Sequence, residues 1–462
     1  MPVMDHADTN GLDLAPFRGL RYDPAKVGDL ALVTSPPYDV VEPGGIGLLE
    51  DADPHNIVRV VLPRADACGA EGPYAHAGVT LRTWLAEGVL RPDPVPALYV
   101  YEQTTATAHQ RGLIGALALG GPDHTPATAS EGAAPDPGAD GTGVIPAARN
   151  PHPAVLPHED VMPGPVADRT ELMRATQANP EPILLAYSGD GPASDAVDRA
   201  AAAGPPLLDT RTPDGTEHRL WAITDPAQLA AIDADLRTRR ALIADGHHRW
   251  AGYRRLRDDA YALGRGAGPW DRGLVLLVDT ARYPLQVGAI HRVVPGLSVD
   301  AALDGLRTHG PAGSGAFLAR RVDDPWPSVL WTLERAEGPA YLLTGDSAFH
   351  LLTDPDPDLL ADAVPYDRPA AWRALDATVL HAALLDRVWR VPDDPTHITY
   401  HHDAVAAIRE AQRTHGTALL LRPVTEGIVR ELAEQGVRMP RKSTSFGPKP
   451  ATGLVLRSLA LD

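Results

Sequence analysis

Apolar runs of strand length alternate with helical stretches along most of the chain. Residues 97–102 and 112–119 are apolar runs on either side of a polar turn, which predicts two paired strands, and Asn56-Ile57-Val58-Arg59-Val60-Val61 predicts another. Residues 74–87 place Val79, Leu81, Trp84 and Leu85 on one side and meet Gly88, which predicts a helix with a stop. Ahead of all these lies Ser35-Pro36-Pro37-Tyr38-Asp39-Val40. Its two prolines force extended or turn backbone and admit a cis bond, so Tyr38 and Asp39 emerge from a stiff corner.

Further along, Val155-Leu156-Pro157-His158-Glu159-Asp160 restores order after a polar stretch, and 170–178 has helical composition that ends before Asn179-Pro180. A short apolar strand at 241–245 runs into a helix over 249–263, stopped by Gly264. Strands are predicted at 273–279 and 286–294, and alternation in the second sends His291 and Arg292 to opposite faces, so that one of them should be wet. The remainder predicts strands at 329–333, 341–343, 349–352 and 419–421. It also predicts helices at 371–388, at 403–414 with Asp403 as N-cap and Gly416 as stop, and at 425–435 before Gly436. His401 and His402, just ahead of a capped helix, read as structural.

The resulting fold class is α/β, of the mixed α+β kind. Four regions follow: an N-terminal α/β region over 11–120, an insertion over 121–153, a central region over 154–300 and a C-terminal α/β region over 301–462. The insertion is rich in Gly, Pro, Ala, Thr and Asp with almost no large apolar side chains, the composition of a segment that does not order itself.

Composition changes the picture mainly by exclusion. A chain of 462 residues, 44% hydrophobic, can bury a large core in two or three domains. A net charge of -18 and the lack of a basic stripe with interleaved aromatics argue against nucleic acid as a partner. The single cysteine, Cys68, excludes an intrachain disulfide. No window of about 18 uncharged apolar residues exists and the start lacks a basic leader, so the expectation is a cytoplasmic protein with no membrane partner.

The chemistry concentrates at Asp245-Gly246-His247-His248-Arg249. Gly246 permits a positive-φ turn from strand into helix. A helix start carries roughly half a positive charge and unpaired N–H groups, and His247, His248 and Arg249 in its first turn oppose that dipole unless an anion sits there. Phosphate is the natural guest. Asp245, at the strand end, is placed to accept a proton from a hydroxyl or to hold magnesium. The plain alternative is a capping Asp beside a solvated basic turn.

Lysine usage points to a second segment. Of 42 basic residues only Lys26, Lys442 and Lys449 are lysines, and two of these fall within Met439-Pro440-Arg441-Lys442-Ser443-Thr444-Ser445-Phe446-Gly447-Pro448-Lys449-Pro450. An ammonium is a compact charge that a planar guanidinium does not imitate. Lys442, Ser443, Thr444 and Lys449 could therefore wrap a phosphate or carboxylate, although a surface loop explains them as well. The spacing is not that of a Walker loop. The run 452–456 that follows predicts a strand. His158 and Glu159 form an acid/base or metal-ligand pair, and His247 with His248 forms a second His pair, but without a metal-binding helix motif any zinc ligands would come from distant segments.

Together, SPPYDVV (35–41), RGLIGAL (111–117), HE (158–159), DR (168–169), AN (178–179), IADGHHR (243–249), HR (291–292) and MPRKSTSFGPKPATGLV (439–455) resemble the family known as domain of unknown function 1015. That family looks related to the ParB and sulfiredoxin-like superfamily, which includes free-serine kinases. The resemblance implies a ParB/sulfiredoxin-like core with additional α/β material and a nucleotide-phosphate site for ATP or ADP at Gly246, His247, His248 and Arg249. It departs from the family pattern at Ala251, where Glu is usual, and at Ser445, where Tyr is usual.

The function expected is a nucleotide-dependent phosphotransferase acting on a small hydroxyl-bearing metabolite, since phosphoryl transfer asks mainly for positioning and charge neutralisation. Asp245, Glu159 and His158 are the catalytic candidates, with Asp245 also the ligand for Mg2+. Lys442, Ser443, Thr444 and Lys449 would clamp an anionic group, and Tyr38, Asp39, Arg169, His291 and Arg292 are the substrate candidates. Two alternatives stay open: a nucleotide-binding regulatory protein without turnover, and a metal-dependent hydrolase using His158, Glu159, His247 and His248. A homodimer is also left open.

Overall fold

The computed structural model describes residues 11–67, 72–120, 152–308, 315–345, 348–394 and 396–461. Cys68 and nearly all of the insertion expected at 121–153 lie outside the described residues. The fold is mixed α/β and divides into two compact units, residues 1–286 with 448–462, and residues 287–447. Among the described residues no helix is long and apolar enough to cross a membrane.

The first unit is built on a nine-stranded mixed sheet whose middle strands are apolar on both faces. Ala241–Asp245 lies beside Ile183–Tyr187, followed by Arg272–Asp279, His109–Ala118 and Leu98–Thr104. Arg272–Asp279 runs parallel to Ile183–Tyr187 and antiparallel to His109–Ala118. Such strands need cover on both sides, and the core residues Leu113, Ile183, Leu185, Ile243, Val275 and Leu277 pack under helices that include His247–Ala262. The register of Ala241–Asp245 against Ile183–Tyr187 shifts between Ile243 and Asp245, an irregularity of the kind that re-aims a side chain at a strand end.

A second, four-stranded sheet explains why the chain end belongs to this unit. Leu456–Ser458 inserts between Gly19–Tyr22 and Ala178–Asn179. Arg457, 1% exposed, donates to Asn179 Oδ1 at 3.0 Å and to the carbonyls of Arg272 and Pro269 at 2.7 and 2.8 Å. The expected regions do not map one to one onto these units: strands from 11–120 and from 154–286 share one sheet and one core, 287–300 falls in the second unit, and 448–462 returns to the first.

The second unit is a six-stranded antiparallel sheet in the order Leu318–Val322, Phe349–Thr353, Tyr341–Thr344, Thr417–Leu420, His291–Val294, Thr399–His401. Asp403 caps Ala404–Arg413 as its sequence predicts, accepting from the Ala406 N–H at 2.7 Å.

Several local expectations change. The run 56–61 contains the short helix Val58–Val61, because Asn56 Oδ1 accepts from the Val58 N–H at 2.9 Å while its amide donates to Leu32 and Thr34 carbonyls, which starts a turn. Val329–Glu334 is also helical: Val329 and Leu333 are buried while Trp331 is 63% exposed, a spacing that a strand would contradict. Within Pro73–Ala86, Leu81 and Trp84 are buried but Val79 is exposed. The helix expected at 170–178 is Pro163–Thr176, opened by a proline whose fixed φ suits the first turn. Residues 371–388 form three consecutive helical pieces, Ala370–Arg373, Asp376–Val379 and Leu380–Val388. Residues 286–294 break into Gln286–Gly288 and His291–Val294, and both His291 and Arg292 are buried, so neither is the wet one. The strand expected at 452–456 starts only at Leu456, while Thr452 pairs with Ser35 in an isolated bridge.

Candidate functional site

The site is assembled within the first unit from the end of Ala241–Asp245 and the start of His247–Ala262. Gly246 joins them at φ 98°, and a Cβ there would lie 2.5 Å from Ile183 Cγ2, so only glycine fits. No side chain caps the helix at Gly246 and no acidic residue occupies its first turn. A 16-residue helix thus begins at the mouth of the site with its positive end uncompensated by a cap.

Arg249 turns inward. Its guanidinium lies 2.5 Å from Asp245 Oδ2 and donates to the Pro182 carbonyl at 2.7 Å. Burial opposes its charge, but Asp245, with Glu181 and Asp39, more than restores it and raises its pKa above the usual range. The turn is therefore not the solvated basic surface of the plain alternative, since Arg249 is buried against Asp245 and the Pro182 carbonyl. His247 Nε2 accepts from the His158 N–H at 3.2 Å, and His248 Nε2 accepts from the Met162 N–H at 3.1 Å. Both rings accept through Nε2, and together they fasten the 158–162 loop to the helix start. The structure brings His158 and the Asp245 turn together, with the two imidazole rings of His158 and His247 edge-on at 4.5 Å. Glu159 lies half-buried in the same loop.

Lys449 arrives from the far end of the chain. Its Nζ lies 2.7 Å from Asp245 Oδ1 and 2.6 Å from Asp39 Oδ2. Burial alone would lower its pKa, but the two carboxylates outweigh that effect and raise it, so the ammonium is charged. Asp39 is the more exposed carboxylate, at 34% against 11% for Asp245.

Tyr38 stands beside this cluster with the Arg169 guanidinium 4.3 Å from its ring centroid and that of Arg249 5.8 Å away. Burial pushes its phenol well above the ordinary value, which keeps it protonated. Arg169 pairs with Asp168 at 2.6 Å and donates to the Val61 carbonyl at 2.8 Å. Asp168 in turn accepts from Tyr74 at 2.6 Å, a bond that pushes the Tyr74 phenol up to about 12.

The residue that sequence reasoning missed is Glu181. It is 2% exposed, and its Oε1 accepts from the Tyr38 N–H and from Thr452 Oγ1, each at 3.0 Å. The available signal was Pro180-Glu181-Pro182, an acidic side chain locked between two prolines.

Five sequence candidates lie in the second unit instead. Lys442 is exposed at φ 55°, Ser443 donates to the Pro440 carbonyl at 2.5 Å, and Thr444 is half-buried. His291 Nδ1 accepts from the Leu421 N–H at 3.2 Å, and burial, helped by Arg292, lowers its pKa to about 4. Arg292 lies 5.2 Å from the Tyr400 ring centroid and donates to His381 at 3.2 Å. The Lys-Ser-Thr segment thus divides, Lys449 belonging to one unit and Lys442, Ser443 and Thr444 to the other.

The donor set does not suit a protein-held magnesium ion. Both oxygens of Asp245 face cationic side chains, Arg249 and Lys449, and Asp39 shares the same ammonium. Among the described residues no group of three or more His, Cys, Asp or Glu could hold a metal, and the set His158, Glu159, His247 and His248 is no exception.

Fold and site together define an α/β protein whose charged cluster sits at an open helix start. The chain belongs to the family described as protein of unknown function DUF1015, whose profile matches residues 14–378. No curated protein matches it. Among solved structures it is similar to a mutant free serine kinase in complex with ADP, at 16% identity and a TM-score of 0.32, over 64% of this chain and 84% of that one. It is also similar to a conserved hypothetical protein from Pyrococcus furiosus, at 16% identity and 0.30, over 64% and 87%. A C-terminally truncated SbnI from Staphylococcus aureus is similar at 12% identity and 0.31, over 64% and 79%.

Proposed function

We propose that the chain is a nucleotide-dependent phosphotransferase acting on a small hydroxyl-bearing metabolite, such as a hydroxy acid or serine. The observation that carries this reading is Lys449, held between Asp39 and Asp245 beside a helix start that no side chain caps. Phosphoryl transfer needs cations and N–H donors around the transferred group and a carboxylate near the attacking hydroxyl. This cluster brings all three together around the Asp245-Gly246 turn.

The roles divide as follows. Backbone N–H groups at the start of His247–Ala262 receive the terminal phosphate of ATP or ADP. Lys449 exchanges one carboxylate for phosphoryl oxygens when the nucleotide arrives. Asp39, the more exposed of its partners, then takes the proton from the acceptor hydroxyl as that oxygen bonds to phosphorus and the bond to the departing nucleotide breaks. Asp245 holds Arg249 and Lys449 in place, and Tyr38 with Arg169 walls the acceptor side. Magnesium, if used, would enter with the nucleotide.

Turnover of ATP or ADP by the full chain, with magnesium and a pool of amino and hydroxy acids, tests the reading against an Asp245→Asn control. Acceptor-dependent conversion that the control lacks supports it. One observation favours a second reading, nucleotide binding without turnover: both Asp245 oxygens are engaged by Arg249 and Lys449. Tight nucleotide binding with no product from any acceptor would select that reading.

A further inference from the structure

The Tyr38–Asp39 corner follows two prolines, which have no N–H to anchor. Upstream, Ser35 is fixed by a pair of backbone bonds to Thr452, at 3.1 and 2.9 Å. The next N–H in the chain is that of Tyr38, and it goes to Glu181 Oε1, the same oxygen that accepts from Thr452 Oγ1. The other side of the cluster is tethered separately: Gln110 donates to the Pro448 carbonyl at 2.9 Å, and the Tyr101 hydroxyl accepts from the Ala451 N–H at 3.3 Å. These bonds hold the Lys449 backbone to the sheet but do nothing for Asp39. Apart from the Lys449–Asp39 pair itself, Glu181 joins the turn carrying Asp39 to the segment carrying Lys449 downstream of the prolines.

We propose that Glu181 is a positioning residue of the site, a buried strap that keeps Asp39 against Lys449. This deepens the phosphotransferase reading, in which Lys449 must sit between two carboxylates before nucleotide binds. The neighbouring backbone supports it: Pro182 accepts from Arg249 and the Glu181 carbonyl accepts from Tyr253 at 3.0 Å, so the strap is rooted in the same helix that opens the site.

Lysine scarcity makes the test direct and independent of activity. Lys26 and Lys442 are exposed and serve as internal standards for the acylation rate of Lys449 by a water-soluble amine-reactive ester, read by peptide mass spectrometry on the full chain. In the parent protein Lys449 should react slowest. Glu181→Ala should speed its acylation about tenfold relative to Lys26, the ratio corresponding to one lost charge-assisted bond, while Glu181→Gln, which keeps an accepting oxygen, should restore slow reaction. Thr452→Val removes only one arm of the strap and guards against a Glu181→Ala chain that fails to fold; it should give a smaller rise. Unchanged Lys449 reactivity in folded Glu181→Ala, or in Thr452→Val if the former does not fold, overturns the proposal. Failure of turnover with these rate changes intact would instead count against the phosphotransferase reading alone.

Discussion

Lys449 Nζ meets Asp39 Oδ2 at 2.6 Å across 410 positions of sequence. The contact ties the last segment of the chain to one of its first corners, and Asp245 completes the ammonium's surroundings at 2.7 Å. A lysine this enclosed in a chain that otherwise uses arginine is a choice of a compact charge over a planar one. Its two carboxylates make the local charge nearly balanced, so in the proposed reading a phosphate would compete with them for the ammonium rather than enter an empty positive pocket.

Asp245→Ala should be strongly destabilising. The substitution leaves the Arg249 guanidinium, whose side chain is 4% exposed, without its carboxylate, and breaking a buried pair by removing one partner costs about 3–5 kcal/mol. Urea unfolding should show a midpoint shift of that order with little change in slope. A shift below roughly 1 kcal/mol, the scale of surface ion pairs, would mean that Arg249 finds another partner.

Gly246→Ala forces a side chain into φ 98° and to 2.5 Å from Ile183 Cγ2. Backbone strain of this kind costs about 1–3 kcal/mol, and the steric contact adds to it. The melting temperature should fall clearly, and nucleotide affinity should fall with it because the helix start moves. An unchanged melting temperature would show that the turn can relax around a methyl group.

Stability should decline as the solution is acidified through the histidine range. Burial lowers the pKa of His218 and His152 to about 4 in the first unit and of His291 to about 4 in the second. The unfolded chain therefore binds more protons than the folded one between about pH 6.5 and 4, so the stability these rings contribute by staying neutral is lost as pH falls across that window. Each should account for roughly 1–2 kcal/mol by pH 5. The unfolding midpoint of the full chain should fall from pH 7 to 5, and His218→Gln should lessen the slope. An equal slope would place the titration elsewhere.

The strand and helix around Gly246 were legible because a buried apolar run, a glycine and a helical stretch leave few alternatives. The same local grammar failed at 56–61 and 329–333, where short apolar runs are equally good as buried helical turns, and the outcome depends on what covers them. The His158–His247 association could be suspected from shared chemistry, but not the role of the rings as acceptors that pin a loop. The inward turn of Arg249 onto Asp245 and the Pro182 carbonyl could not be read from the sequence, because Pro182 lies 67 positions away. Glu181 was invisible as a member of the site, since its partners Tyr38 and Thr452 come from opposite ends of the chain.

In the proposed phosphotransferase the Gly246 helix start and Lys449 together hold nucleotide phosphate. Calorimetric titration of the full chain with ADP, ATP and adenosine, alongside the Lys449→Met variant, checks this. The phosphorylated nucleotides should bind, adenosine should bind weakly or not at all, and the variant should lose at least about tenfold in affinity, the ratio that one charge-assisted bond represents. Equal affinity for adenosine and ADP, or ADP affinity unchanged in a folded Lys449→Met chain, would contradict it.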